Sequence, residues 1–289
     1  MDGLGHALDL LPLEWKQAMG SFLHDIPEEF RLRVGRKPTV LLADGERSIS
    51  DEIVSEERLL RVMEKATGAS IHTAAPELAE GYLSYRGLRI GVCGFASMKG
   101  DLLTSFRHVS SLAIRVPREF RGICDQIMNV FLREGFQNTL VIGKPGEGKT
   151  TVLRELVRCL SERGYRIGVS DERNELAAMD GGTAQFDLGR CSDVMTGLPK
   201  TRGAMMLLRG FNPQIIAMDE ISREKDLEAV RQIVGCGVGI LASVLGADLS
   251  EFKKRPAYRS MLEEGVFHYL LRVDRMGQVR RYALERIGS

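Results

Sequence analysis

The stretch Val141-Ile142-Gly143-Lys144-Pro145-Gly146-Glu147-Gly148-Lys149-Thr150-Thr151 decides how the rest of the chain is read. It has the spacing G-x-x-x-x-G-K-T. An apolar run, Thr139-Leu140-Val141-Ile142, precedes it, and Val152-Leu153-Arg154-Glu155-Leu156-Val157 follows. Strand, glycine loop and helix in that order are what a phosphate-binding loop requires. Gly143, Gly146 and Gly148 are expected to supply backbone angles that side chains forbid, so that N–H groups turn inward on a phosphate. A helix opening at Lys149 adds its positive end. Residues Gly143, Lys144, Pro145, Gly146, Glu147, Gly148, Lys149, Thr150 and Thr151 are therefore the candidate nucleotide cradle. Lys149 is expected to reach the outer phosphates and the Thr150 hydroxyl to ligate Mg²⁺.

Working outward, the chain alternates strands with helices from residue 139 on. Strands are expected at residues 140–142, 166–170, 214–218 and 238–243, and helices at 149–162, 205–210 and 225–235. This is the pattern of a parallel sheet with crossovers. A hairpin of residues 269–273 and 279–284, turning at Arg275-Met276-Gly277, closes it. Before it, a helix is expected at residues 123–133. Residues 1–120 read as a smaller α+β domain, and 121–289 as the phosphate-loop domain. In the first part, residues 13–23 have helical apolar spacing. Glu29-Phe30-Arg31-Leu32-Arg33-Val34 alternates like a half-buried strand, and residues 39–42 read as its partner. Ser55 is placed to cap a helix. A further helix is expected at residues 71–80, a hairpin at 81–96 and a strand at 111–116. The arginines here (Arg31, Arg33, Arg36, Arg86, Arg89, Arg107, Arg115, Arg118) either line solvated strand faces or reach a nucleotide on a neighbouring subunit.

Three further stretches fall at expected strand ends, where ligands of open α/β sheets sit. Ile215-Ile216-Ala217-Met218-Asp219-Glu220 runs apolar residues into an acid pair. Asp219 is the candidate for the Mg²⁺ shell, and Glu220 for general base toward the attacking water. Asp171-Glu172-Arg173-Asn174-Glu175 either orients water or metal, or is a solvated loop. Ser243 either senses a terminal phosphate or is a buried strand-end serine. Arg202 and Arg209 either bridge subunits or pair with surface acids.

Composition narrows the classes. With 289 residues, 44% of them apolar and 27% charged, an ordinary globular protein of about two domains is expected. Forty basic residues against 39 acidic ones leave a net charge of +1, so no dedicated nucleic-acid binder is indicated and no nucleic-acid partner is expected. The five cysteines are scattered, which reads as reduced thiols. The five histidines (His6, His24, His72, His108, His268) form no local pattern and are read as structural. No run reaches the roughly 18 apolar residues that span a bilayer, and no signal peptide is expected.

Several blocks together resemble the stage III sporulation protein AA family. They are residues 143–154, Ser170-Asp171-Glu172-Arg173-Asn174-Glu175-Leu176-Ala177, Leu188-Gly189-Arg190-Cys191-Ser192-Asp193-Val194 with Pro199-Lys200, and residues 206–221. Residues 30–38, 111–116 and 255–267 look like that family too. The family is similar to the motor ATPases of type II and type IV secretion and pilus systems. The resemblance implies an α/β, RecA-like core with a smaller N-terminal α+β domain, ATP and Mg²⁺ as cofactors, and a homo-oligomer, a hexamer. It implies a cytoplasmic protein peripherally associated with membrane-embedded sporulation channel proteins between mother cell and forespore. It places Asp171, Glu172 and Glu175 in an acidic box, so that Glu172 joins Glu220 and Lys149 as catalytic candidates. Two positions depart from the family pattern. Leu245 stands where a His is usual, and leucine neither donates a proton nor bonds a phosphate. Ser222 stands where the family tends to have Gly. The alternative function is a nucleotide-binding scaffold of the same complex with little turnover; a nucleic-acid translocase is disfavoured by the balanced charge.

Overall fold

The computed structural model describes residues 3–22, 27–42, 44–68, 75–99, 102–117, 120–276 and 279–287. It divides into two units, Met1–Arg118 and Glu119–Ser289.

The first unit is an antiparallel sheet with helices. Its strands are β1 (Glu29–Arg33), β2 (Thr39–Leu42), β3 (Gly45–Ser48), β4 (Tyr82–Tyr85), β5 (Leu88–Lys99) and β6 (Leu102–Arg115), in the order β3-β2-β1-β6-β5-β4. The alternation in β1 does what period-2 patterning should: Phe30 and Leu32 are fully buried while Arg31 and Arg33 are not. α1 (Gly3–Leu10), α2 (Leu13–Ala18), α3 (Glu56–Ala66) and α4 (Ala75–Ala79) complete the unit. Ser55 caps α3 by accepting from the Arg58 N–H at 3.3 Å, and Leu59, Val62, Met63 and Ala66 form its buried stripe.

Several expectations need correction here. Residues 13–23 are not one helix: α2 passes into a 3₁₀ turn at Met19–Phe22, and residue 23 lies outside the described residues. α1 and β3 were not anticipated. The strand expected at 111–116 is the end of a 14-residue strand, and its partner β5 is 12 residues long. Register shifts after Cys93, Phe95 and Ser97 break the alternation that would have announced them. Of the helix expected at 71–80, residues 71–74 lie outside the described residues, as do His24, His72 and Arg118. Most of the remaining arginines have partners within the unit. Arg33 meets Glu46 at 2.7 Å, Arg31 pairs with Glu29, and Arg89 lies over the Tyr82 ring at 4.1 Å.

The second unit is a seven-stranded sheet: β7 (Thr139–Gly143), β8 (Ile167–Asp171), β9 (Ser192–Thr196), β10 (Ile215–Met218), β11 (Gly239–Leu245), β12 (Tyr269–Met276) and β13 (Val279–Arg286). Its order is β13-β12-β7-β11-β10-β8-β9, parallel except for the β12–β13 hairpin. Every residue of β7, β8 and β10 is buried, as expected when helices cover both faces of a parallel sheet. One layer holds α5 (Asp125–Glu134) and α6 (Lys149–Glu162); the other holds α7 (Lys200–Gly210), α8 (Glu224–Gly235), α9 (Leu249–Lys253) and α10 (Pro256–Glu263). α7 begins five residues before its expected start, and β9, α9 and α10 were not anticipated. Arg275 and Met276 are not in a turn: they pair with Arg280 and Val279 in the hairpin, and residues 277–278 lie outside the described residues. One feature of the order positions the site. β11 lies between β7 and β10, so its tip separates the glycine loop from the Asp219-Glu220 pair.

Candidate functional site

Gly143 closes β7, and a Cβ there would lie 2.7 Å from the Val273 carbonyl oxygen of β12. Its need for glycine is therefore close approach. The left-handed backbone expected at all three glycines is found only at Gly146 (φ 79°) and Gly148 (φ 101°). Lys144, Pro145 and Gly146 are exposed at the tip. The Glu147 carboxylate accepts the Lys144 N–H. α6 then opens at Lys149, whose ammonium donates to the Lys144 carbonyl at 3.0 Å. Lys149 is only 8% exposed. Burial holds its pKa below the usual lysine range, against the opposing pull of Asp219, Glu220 and Glu147. Thr151 is half-buried and lines a shallow pocket with Phe120, Arg121 and Arg154.

The Thr150 hydroxyl donates to Asp219 Oδ2 at 2.7 Å, across the width of β11. The Ser243 hydroxyl, on β11, donates to Asp219 Oδ1 and accepts the Glu220 N–H at 2.8 Å. Ser243 is thus fully buried at a strand end and also joined to the acid pair. Glu220 has φ 48°, a left-handed conformation that costs a non-glycine residue about 1–3 kcal/mol and is retained where surroundings impose it. Those surroundings are visible. The Lys200 ammonium donates to the carbonyls of Asp219 (2.8 Å) and Glu220 (2.6 Å). Ile221 N–H donates to Ser243 O at 2.8 Å, and Tyr258 OH to Ile221 O at 3.0 Å. Ser222 is at an ordinary φ and its N–H donates to Asp226 Oδ2 at 3.0 Å, so the turn asks for backbone freedom at Glu220 and none at position 222.

The Asp171 loop is no simple solvated loop. Asp171 is 1% exposed, and its carboxylate accepts N–H groups of Glu175 (2.9 Å), Leu176 (3.0 Å) and Ala177 (2.8 Å). Burial raises its pKa, opposed by those three bonds. It shapes the loop. Glu172 faces Lys200, with the ammonium at 3.7 Å and the Lys200 N–H at 3.4 Å. Arg173 Nη1 reaches Glu220 Oε2 at 3.1 Å. Arg202 and Arg209 are exposed on α7, and Leu245 is half-buried at the end of β11. Lys149, Thr150, Asp219, Glu220 and Glu172 therefore belong to one polar neighbourhood. Lys200 and Tyr258 join it without having been singled out for the chemistry; their only signal was that Pro199-Lys200 and residues 255–267 lie in blocks that resemble the family.

This arrangement fits a nucleotide with Mg²⁺. The buried ammonium has three donors and, among the described residues, one acceptor bonded to it. Thr150 and Asp219 present hard oxygen ligands side by side. Mg²⁺ is usually held by one or two carboxylates plus phosphate oxygens, not by an all-protein cage. Among the described residues no cluster of three His, Cys, Asp or Glu side chains could hold a metal alone. Among the same residues no helix is long and apolar enough to cross a membrane.

A family model described as sporulation stage III, protein AA matches residues 17–283. The stage III sporulation protein AA of Bacillus subtilis (strain 168) is 31% identical over 273 residues, covering 90% of this chain and 88% of that protein. Among solved structures, the pilus retraction motor PilT with bound ADP superposes with a TM-score of 0.64 at 13% identity, covering 96% of this chain and 84% of that one. The Legionella pneumophila ATPase DotB gives 0.62 at 13% identity, covering 95% and 80%. The fold is therefore the expected RecA-like α/β core of secretion and pilus ATPases with an N-terminal α+β unit.

Proposed function

The chain belongs to the sporulation stage III protein AA family, and from that premise we propose that it is a Mg²⁺-dependent ATPase of the secretion-motor kind. The observation that carries the proposal is the unbroken line of hydrogen bonds from Thr150 through Asp219 and Ser243 to Glu220, with Lys149 at its near end.

In this reading the loop of Gly143 to Thr151 cradles the phosphates of ATP, and Lys149 binds the outer ones. Thr150 and Asp219 hold Mg²⁺, which supplies charge neutralisation between the phosphates. Glu220 takes the proton from the attacking water. Glu172 acts one step back, by holding Lys200, which in turn fixes the peptides on both sides of Glu220. The active form is a homo-oligomer, a hexamer, whose sites are completed by an arginine from a neighbouring copy. It works from the cytoplasmic side on membrane-embedded channel proteins of sporulation, energising transport between mother cell and forespore.

One observation favours a second reading, a nucleotide-binding scaffold with little turnover: Leu245 gives the β11 tip no side-chain donor. Phosphate release measured against protein concentration, for the wild type and Glu220→Gln, separates the two. A steep concentration dependence abolished by Glu220→Gln supports the motor. Equal, negligible release by both, with nucleotide bound, supports the scaffold.

A further inference from the structure

We propose that Arg173 is a same-chain cation for the terminal phosphate in this site, acting beside the arginine of the neighbouring copy, and that it alternates between that phosphate and the Glu220 carboxylate. The inference rests on the ATPase reading above and adds to it the residue that distinguishes triphosphate from diphosphate.

The loop that carries Arg173 has a fixed base. Asp171 ties down three of its N–H groups. Asn174, itself left-handed at φ 56°, bonds Met179 through both side-chain atoms, at 2.9 and 2.6 Å. Only the Arg173 side chain projects, 64% exposed, and Nη1 lies 3.1 Å from Glu220 Oε2. Glu220 is bonded through Ser243 to Asp219 and thence to Thr150, so the guanidinium closes the polar line at the end opposite Lys149.

Two neighbours at that end are poorly suited to the task. Lys200 has three N–H donors, and its neighbours are the carbonyls of Asp219 and Glu220 and the Glu172 carboxylate. Leu245 offers no donor. Arg173 has five N–H groups in a planar fork suited to phosphate oxygens. One of them holds Glu220 in a pair exposed enough to exchange partners at small cost.

The exchange has a geometric consequence. Moving the guanidinium to the terminal phosphoryl oxygens releases the Glu220 carboxylate from its ion pair in the complex that holds a γ-phosphate. With a diphosphate, the guanidinium keeps its carboxylate partner.

Affinities of the full chain for Mg²⁺-ADP and for a Mg²⁺-bound non-hydrolysable ATP analogue, by calorimetry, test this. Arg173→Gln is expected to weaken analogue binding about tenfold, ~1.4 kcal/mol, and ADP binding by less than about twofold. Arg173→Lys, which keeps the charge without the fork, is expected to fall between. Glu220→Gln leaves Arg173 without its carboxylate and is expected to tighten analogue binding about twofold or more, at unchanged ADP affinity; this arm stands even where Arg173→Gln fails to fold. Equal losses for both nucleotides in Arg173→Gln, no loss for either, or no gain in Glu220→Gln overturns the role of Arg173 and leaves the ATPase reading intact. A wild-type chain that binds neither nucleotide overturns both.

Discussion

Two Asp-Glu pairs end adjacent parallel strands of the same sheet, and they do different work. Asp171-Glu172 ends β8 and Asp219-Glu220 follows β10, with Met218 opposite Ser170 in the ladder. Asp171 is sealed in by N–H groups of its own loop, whereas Asp219 is bonded by two hydroxyls, one from the glycine-loop helix and one from β11. Glu172 turns to Lys200, whereas Glu220 is held in a left-handed turn and meets Arg173. The difference lies in the donors that meet each carboxylate. Backbone N–H groups make a carboxylate a scaffold; hydroxyls that can also ligate a metal leave it free for chemistry.

The largest effect expected from this contrast is on turnover. Glu220→Gln is expected to lower kcat by roughly 10³-fold, in the range of a lost general base, and Glu172→Gln by about tenfold. Equal losses in single-turnover assays would break the distinction between the glutamates. Next is stability. Asp171→Asn removes a carboxylate that accepts three N–H bonds and is expected to cost about 2–3 kcal/mol in urea unfolding, with the Mg²⁺ requirement unchanged. Asp219→Asn is expected to cost less than about 1 kcal/mol while raising the Mg²⁺ concentration needed for nucleotide binding. Reversal of that order would exchange the two roles.

A smaller effect tests the strained turn. Glu220→Gly is expected to be more stable than Glu220→Ala by about 1 kcal/mol, because only glycine takes φ 48° without penalty. Identical unfolding midpoints would mean that the turn is not strained. The smallest is a slope with pH. Burial raises the folded pKa of Asp171 above its ordinary 3.8. Its proton is therefore held more tightly in the folded chain, and its contribution, full below that ordinary value, is lost as pH rises through the raised one. The stability of wild type minus Asp171→Asn should fall over that window. A rise would reverse the sign of the burial effect.

Much of this was legible in the residues. The glycine loop, the helix from Lys149 to Glu162 and the apolar run into Asp219-Glu220 carry their structure locally, through spacing and propensity. The role of Asp171 was not legible, because the three N–H groups that claim it point inward only once the loop has folded back. Lys200 lies 28 residues beyond Glu172 in the chain and meets it only through the β8–α7 packing. β9 escaped because Ser192-Asp193-Val194-Met195-Thr196 is a half-polar edge strand with no clear alternation. Gly143 was assigned the right residue for the wrong reason, since its neighbour in space, Val273, comes from the far end of the chain.

That neighbour has a consequence for any shortened form of the protein. Removing the final hairpin would strip β7 of its β12 partner and turn a five-residue, wholly buried strand into a bare border ready to recruit a foreign strand. Aggregation would then set in before any loss of nucleotide contacts could be measured, and the last 20 or so residues would look essential for solubility while touching no ligand.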